Sequence, residues 1–196
     1  MDFCITNAQR TDPVNTTQIR RLAGHAARHL AIRTRGRIEI TFLDARRIHA
    51  LNKRFLRHDR STDVLSFRYD AAPVSSRNGP PVVGEIFIAP SEAKAYAKRH
   101  GLSYAEELSR YVVHGLLHWL GEEDRTPAQQ RRMRRLENDI ILKNPAAGGR
   151  AWPGAGRVEG RAATMSRAAR GTSEPRNRVP ARHGRTRQTF RRNGQP

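Results

Sequence analysis

At 196 residues the chain can bury one ordinary hydrophobic core but not comfortably two, so a single folded domain is expected. Its only cysteine, Cys4, excludes an intramolecular disulfide and Cys-rich zinc sites, so any metal must be held by His and carboxylates. A formal net charge of +19 favours a polyanionic partner, of which nucleic acid is the commonest in a cell. No signal-peptide pattern and no apolar run of about 20 residues is present, which leads us to expect a cytoplasmic location without membrane association.

In chain order, CITNAQ near the start reads as a short strand, and TTQIRRLAGHAARHLAI repeats Ile19, Leu22, Ala26 and Leu30 at helical spacing. The alternating, β-branched IEITFL at 38–43 predicts a second strand, after which Asp44 is placed to cap a helix through Ile48, Leu51 and Phe55. Two further strands are predicted at 62–70 and 82–89, joined by AAPVSSRNGPP, whose turn formers predict an exposed loop. After Pro90 three helices follow: SEAKAYAKRH ending at Gly101, YAEELSRYVVHGLLHWL ending at Gly121, and PAQQRRMRRLENDIILK with Pro127 in its first turn. The expected fold class is α+β: a single domain with a small mixed sheet of about four strands flanked by helices.

The expected domain runs over 1–143. Residues 144–196 differ in composition, with twelve Arg, no Lys, two Glu and no Leu or Ile. Their net charge is +10, which leaves +9 for the domain. Such a segment cannot bury enough apolar surface to offset the entropy of ordering, so it is expected to be a disordered Arg-rich tail.

The segment VVHGLLHWLGEEDRT carries the strongest chemical signal. His114 and His118 stand four apart on a predicted helix, so both imidazoles point from one face and can bind one ion. The surrounding residues Val112, Val113, Leu116, Leu117, Trp119 and Leu120 are apolar, which places the pair in or beside the core, where polar groups need partners. Gly121 is where the helix is expected to stop and the chain to reverse, bringing Asp124 back toward the imidazoles. Three protein ligands with an open fourth position describe a catalytic zinc site better than a structural one. An ion held there would activate water or polarise a phosphoryl oxygen, and both roles suit hydrolysis. The metalloprotease pattern His-Glu-x-x-His competes for the same histidines, but its general base is replaced here by Gly115.

These residues resemble the YbeY endoribonuclease family over roughly 38–143. The family pattern His-Gly-x-Leu-His-x-x-Gly-x-x-His is met by His114, Gly115, Leu117, His118 and Gly121, with Asp124 in the last place. A second block appears as Asn52, Phe55 and Asp59 leading to Thr62, Asp63, Val64, Leu65, Ser66 and Phe67, and a third as Gly84, Glu85 and Ile86. Asp124 replaces a neutral His by an anion and so lowers the site charge by one unit. Leu56 stands where many members carry a catalytic Arg. Its neighbour Arg57 is the candidate replacement, although adjacent side chains on a helix diverge by about 100°. RFLRHD and EEDRT together resemble a family branch that carries both changes.

The resemblance implies a zinc-dependent endoribonuclease, a hydrolase that cuts single-stranded RNA, with one Zn2+ held by His114, His118 and Asp124. It further implies a part in rRNA processing, at the 3′ end of 16S rRNA, and in ribosome quality control, with rRNA and the ribosome as partners and no nucleotide cofactor. Catalytic candidates are Arg57, His114 and His118. Arg54, Arg57, His58, Arg60 and Arg68 cluster around the second block as RNA-binding candidates. Val64, Leu65 and Phe67 are expected in the core, and Thr62, Asp63 and Ser66 either there or beside the metal. His25, His29, His49, His100 and His183 have no usable partner spacing and are expected at the surface. The alternative of another class is a non-catalytic RNA-binding ribosome-assembly factor whose metal is structural.

Overall fold

The computed structural model describes residues 1–56, 59, 62–69, 79–144 and 189–191. The sheet is built from β1 (Asp2–Asn7), β2 (Arg37–Phe42), β3 (Val64–Arg68), β4 (Val82–Ile88) and the three-residue β5 (Thr189–Arg191), in the order β1-β2-β4-β3-β5. β1, β2 and β4 run parallel, β3 runs antiparallel to β4, and β5 pairs parallel with β3. The sheet is therefore mixed, as expected, with four strands from the domain and one short strand from the basic C-terminal segment. Most of the predicted 71–81 loop, and residues 145–188 and 192–196 of the tail, lie outside the described residues.

The helices are α1 (Thr16–His29), α2 (Ala45–Leu56), α3 (Pro90–His100), α4 (Tyr104–Trp119) and α5 (Pro127–Leu142). Their ends follow from local chemistry. Asn15 caps α1 by accepting from the Gln18 N–H, and Asp44 accepts from the Arg47 N–H at 2.8 Å to start α2. α3 stops at Gly101, whose φ of 62° is left-handed. Thr126 and Gln129 form a reciprocal capping box at the start of α5.

Alternation along the strands divides the core in two. Ile38, Ile40, Phe42, Val64, Ile86 and Ile88 point to one face, where they meet Ile19 and Leu22 of α1 and Val112, Val113 and Leu116 of α4. Leu65, Phe67 and Phe87 point to the other, against Ile48 and Leu51 of α2, with Phe67 edge-on to Phe55 and Phe87.

Two glycines set how closely α4 lies on the sheet. A Cβ on Gly115 would come within 2.6 Å of Ile86 Cγ2, and one on Gly84 within 2.1 Å of Trp119 Nε1. With no side chain in the way, the Trp119 indole donates to the Val83 carbonyl at 3.1 Å, and Ser66 Oγ donates to the Gly115 carbonyl at 3.1 Å. The helix that carries both histidines is thus pinned to β3 and β4.

Candidate metal centre

α4 is buried on nearly every side, from Glu107 to Trp119. His114 and His118 are each 1% exposed, with ring centroids 4.8 Å apart and planes nearly perpendicular. The helix ends in a complete Schellman turn: Gly121 N–H bonds the His118 carbonyl and Glu122 N–H bonds the Leu117 carbonyl, both at 2.9 Å. Gly121 has φ 95°, a conformation that L side chains rarely adopt. This reversal carries Asp124 back over the helix end. One ligand atom from each of His114, His118 and Asp124 then lies within 4.8 Å of the others, the arrangement expected from the sequence.

Each imidazole is oriented by a partner on its far nitrogen. His114 Nδ1 lies 2.5 Å from Glu137 Oε1, and His118 Nδ1 is bonded to the Glu122 carbonyl. A carboxylate and a carbonyl only accept, so both Nδ1 atoms carry the proton and each Nε2 is left as the ligand atom. Two neutral imidazoles and a carboxylate suit zinc or a similar borderline divalent ion.

Buried charge supports the same fit. Glu137 and Glu107 are each 1% exposed, and Arg110 lies between them, 3.2 Å from Glu137 and 3.6 Å from Glu107. Arg110 also donates to Asn138 Oδ1 at 2.7 Å. Glu106, at 3.8 Å, is a third carboxylate on the same guanidinium, so the surroundings of His114 are net acidic. A divalent ion on two imidazoles and Asp124 would carry one excess positive charge, which is of the sign that this acidic neighbourhood favours.

Sequence reading passed over Glu137 and Arg110. Arg110 left a trace, because Glu107, Arg110 and His114 recur on one face of an otherwise apolar helix. Glu137 left none: nothing in RRLENDII says which face of α5 meets α4.

Of the RNA-binding candidates, Arg54 and Arg68 lie among the described residues. Arg54 is exposed near the end of α2, 5.4 Å from the Phe55 ring centroid. Arg68 is half-buried, stacked on the Trp119 ring at 5.0 Å and donating to the Trp119 carbonyl at 3.3 Å. Arg57, His58 and Arg60 lie outside the described residues. Val64, Leu65 and Phe67 are core residues, as expected. Thr62 and Asp63 are buried and tied to local backbone, Thr62 Oγ1 to the Val64 carbonyl and Asp63 Oδ1 to the Val64 N–H. His25, His29, His49 and His100 do not belong to the metal-binding arrangement, and His183 lies outside the described residues. The 2.6 Å approach at Gly115 leaves no room for the glutamate that a metalloprotease places there.

Fold and site together define a class: an α+β domain that presents a two-His, one-Asp metal-binding arrangement at the end of a buried helix. Residues 4–144 match the family model for Endoribonuclease YbeY. The chain is 39% identical over 109 residues to the Endoribonuclease YbeY of Elusimicrobium minutum, covering 56% of this chain and 75% of that protein. It is 34% identical over 145 residues to that of Chlamydia caviae (72% and 89% covered) and 33% identical over 143 residues to that of Geobacillus kaustophilus (70% and 90% covered). The solution structure of TM1509 from Thermotoga maritima aligns at 20% identity with a TM-score of 0.48, covering 74% of this chain and 93% of that one. The chain belongs to the YbeY family.

Proposed function

We propose that the protein is a zinc-dependent endoribonuclease that cuts single-stranded RNA, with His114, His118 and Asp124 holding one ion. The observation that carries this reading is the convergence of three ligand atoms within 4.8 Å at the end of a buried helix, in a chain of an endoribonuclease family. When bound, the ion supplies Lewis acidity toward a phosphoryl oxygen and activates the attacking nucleophile.

The chain's own residues do the rest. Glu137 and the Glu122 carbonyl hold the two imidazoles in one tautomer and orientation. Ser66 and Gly115 lock α4 to the sheet, so the ligands stay fixed while substrate comes and goes. Arg57, next to Leu56, is the proposed cation for the scissile phosphate, and Arg54, His58, Arg60 and Arg68 the proposed contacts to flanking RNA. Within this reading the substrate is rRNA, cut at the 3′ end of 16S rRNA and on defective ribosomes, and the location is the cytoplasm. No helix among the described residues is long and apolar enough to cross a membrane.

Elemental analysis of purified protein, alongside cleavage of a single-stranded RNA spanning the 16S 3′ end, tests the proposal. About one zinc per chain and cleavage are expected of the parent, and loss of both for His114→Ala and Asp124→Ala. A zinc-loaded parent that cuts no RNA would overturn it.

A further inference from the structure

A basic surface lies away from the candidate metal centre, on α1. A cleft of about 460 Å³ opens there, lined by Arg20, Arg21, Gly24, His25 and Arg28 and closed by Asn144 just beyond α5. By helical spacing Arg20, Arg21, Gly24 and Arg28 form one stripe, opposite the buried Ile19, Leu22, Ala23, Ala26 and Ala27. The three arginines are exposed and none of the described lining residues is acidic. α1 itself contains no carboxylate, so the positive end of its dipole, near Arg20, is not offset within the helix. Asp139 of α5 meets α1 at its other end, where it is engaged by His29 at 2.8 Å, and it is also engaged by Lys143 at 2.6 Å.

Gly24 is the second observation. It sits mid-helix, its φ is not left-handed, and a Cβ there would make only ordinary contact, 3.6 Å from Arg28 Nη1. Nothing in the backbone requires glycine, and glycine is a poor helix former. What it does is leave the floor of the cleft open beneath the Arg28 guanidinium, which leans back toward the preceding turn as helical side chains do. His25, at the wall, has its pKa lowered by burial, and the charges of His29 and Arg28 add to that effect against the raising bond to Ile140. It is thus neutral near pH 7 and leaves the positive field to the arginines.

We propose that this cleft is a second binding site for the phosphodiester backbone of single-stranded RNA, separate from the metal centre. The inference rests on the reading of the chain as an RNA enzyme. Asn144 lies seven residues beyond Glu137, the carboxylate that orients His114, or about 10 Å further along α5. The cleft also opens on α1, outside the α4–α5 pair that frames the metal centre. At roughly 3.4 Å per stacked nucleotide, a strand must extend several nucleotides beyond the scissile bond to touch both sites. A strand that spans both sites gains the contacts of the cleft, and a dinucleotide held at the metal centre does not.

The test uses the full chain and reads binding by fluorescence anisotropy, with two-nucleotide and twenty-nucleotide single-stranded RNAs, and reads cleavage separately. Replacing Arg20 and Arg21 together by Ala should weaken binding of the long RNA about tenfold, and flatten its log-log salt dependence by about 1.4, or 0.7 for each lost contact. Binding of the short RNA should change by less than about twofold. Gly24→Gln keeps every charge, favours the helix and fills the floor, and it should reproduce the loss for long RNA with an unchanged or higher Tm. Equal binding of long RNA by parent and both variants, or equal losses on the short and long RNAs, would overturn the cleft. Cleft-dependent binding in a parent that cleaves neither RNA would sustain the cleft and overturn the nuclease reading instead.

Discussion

At the scale of single residues, the most informative position is Glu137. Its carboxylate fixes the His114 tautomer from a place that no substrate reaches, because it is 1% exposed. Glu137→Gln keeps the shape and an acceptor oxygen but removes the charge that makes the imidazole a better ligand. Zinc affinity, measured by competition with a chelating dye, should fall roughly 10- to 100-fold. Unchanged affinity would mean that Glu137 serves only to satisfy Arg110. Asp124 differs in kind from the two histidines: it is half-buried, and it depends on the turn at Gly121 rather than on helix periodicity for its place. It is also where the chain departs from the common family pattern, which has His there.

At the scale of elements, α4 and the turn after it depend on two glycines for different reasons. Gly121→Ala meets no atom within 4 Å but must hold φ 95°, so its cost is conformational, about 1 kcal/mol. Gly115→Ala has ordinary helical backbone but drives a methyl to 2.6 Å from Ile86 Cγ2, an overpacking cost of about 1–3 kcal/mol. Urea denaturation separates the two. Combined with Ile86→Ala, the Gly115→Ala cost should be less than the sum of the single effects, whereas Gly121→Ala should add. Additivity at Gly115 would mean that steric clash is not the reason for glycine there. The same pair of contacts shows what was legible locally. Gly121 could be read as a stop signal from its place after the apolar run, but the need for Gly115 arises only when β4 lies beneath it.

At the scale of the whole molecule, the apolar clusters join the sheet to all five helices through residues other than the three candidate ligands, so the core has its own apolar contacts without the ion. Removing the ion with a chelator should therefore abolish cleavage while leaving the far-UV helical signal nearly intact. Unfolding on chelation would point to a structural ion. The basic C-terminal segment belongs to the same scale. Its +10 charge is more than half of the total of +19, and we propose that it raises the local concentration of ribosomal RNA. Deleting residues 145–196 should leave cleavage of a short oligonucleotide in place and weaken ribosome binding in sedimentation assays. Equal binding by both forms would refute this role.

By itself the sequence determined the periodic features. The helices and strands follow from apolar spacing, caps and turn formers, and the metal-binding face of α4 follows from four-residue spacing, because these depend on residues close in the chain. The expected reversal at Gly121 then linked Asp124 to the pair, in the place where the family motif has His. Only the tertiary structure decided which side chains meet across elements. Glu137 of α5 reaches His114, Ile86 of β4 sets the limit at Gly115, and Arg20, Arg21 and Arg28 form a cleft with Asn144, which lies more than a hundred residues further along the chain. Those contacts depend on helix rotation and interaxial distance, which are set by packing of the whole core and leave no periodic mark on either partner.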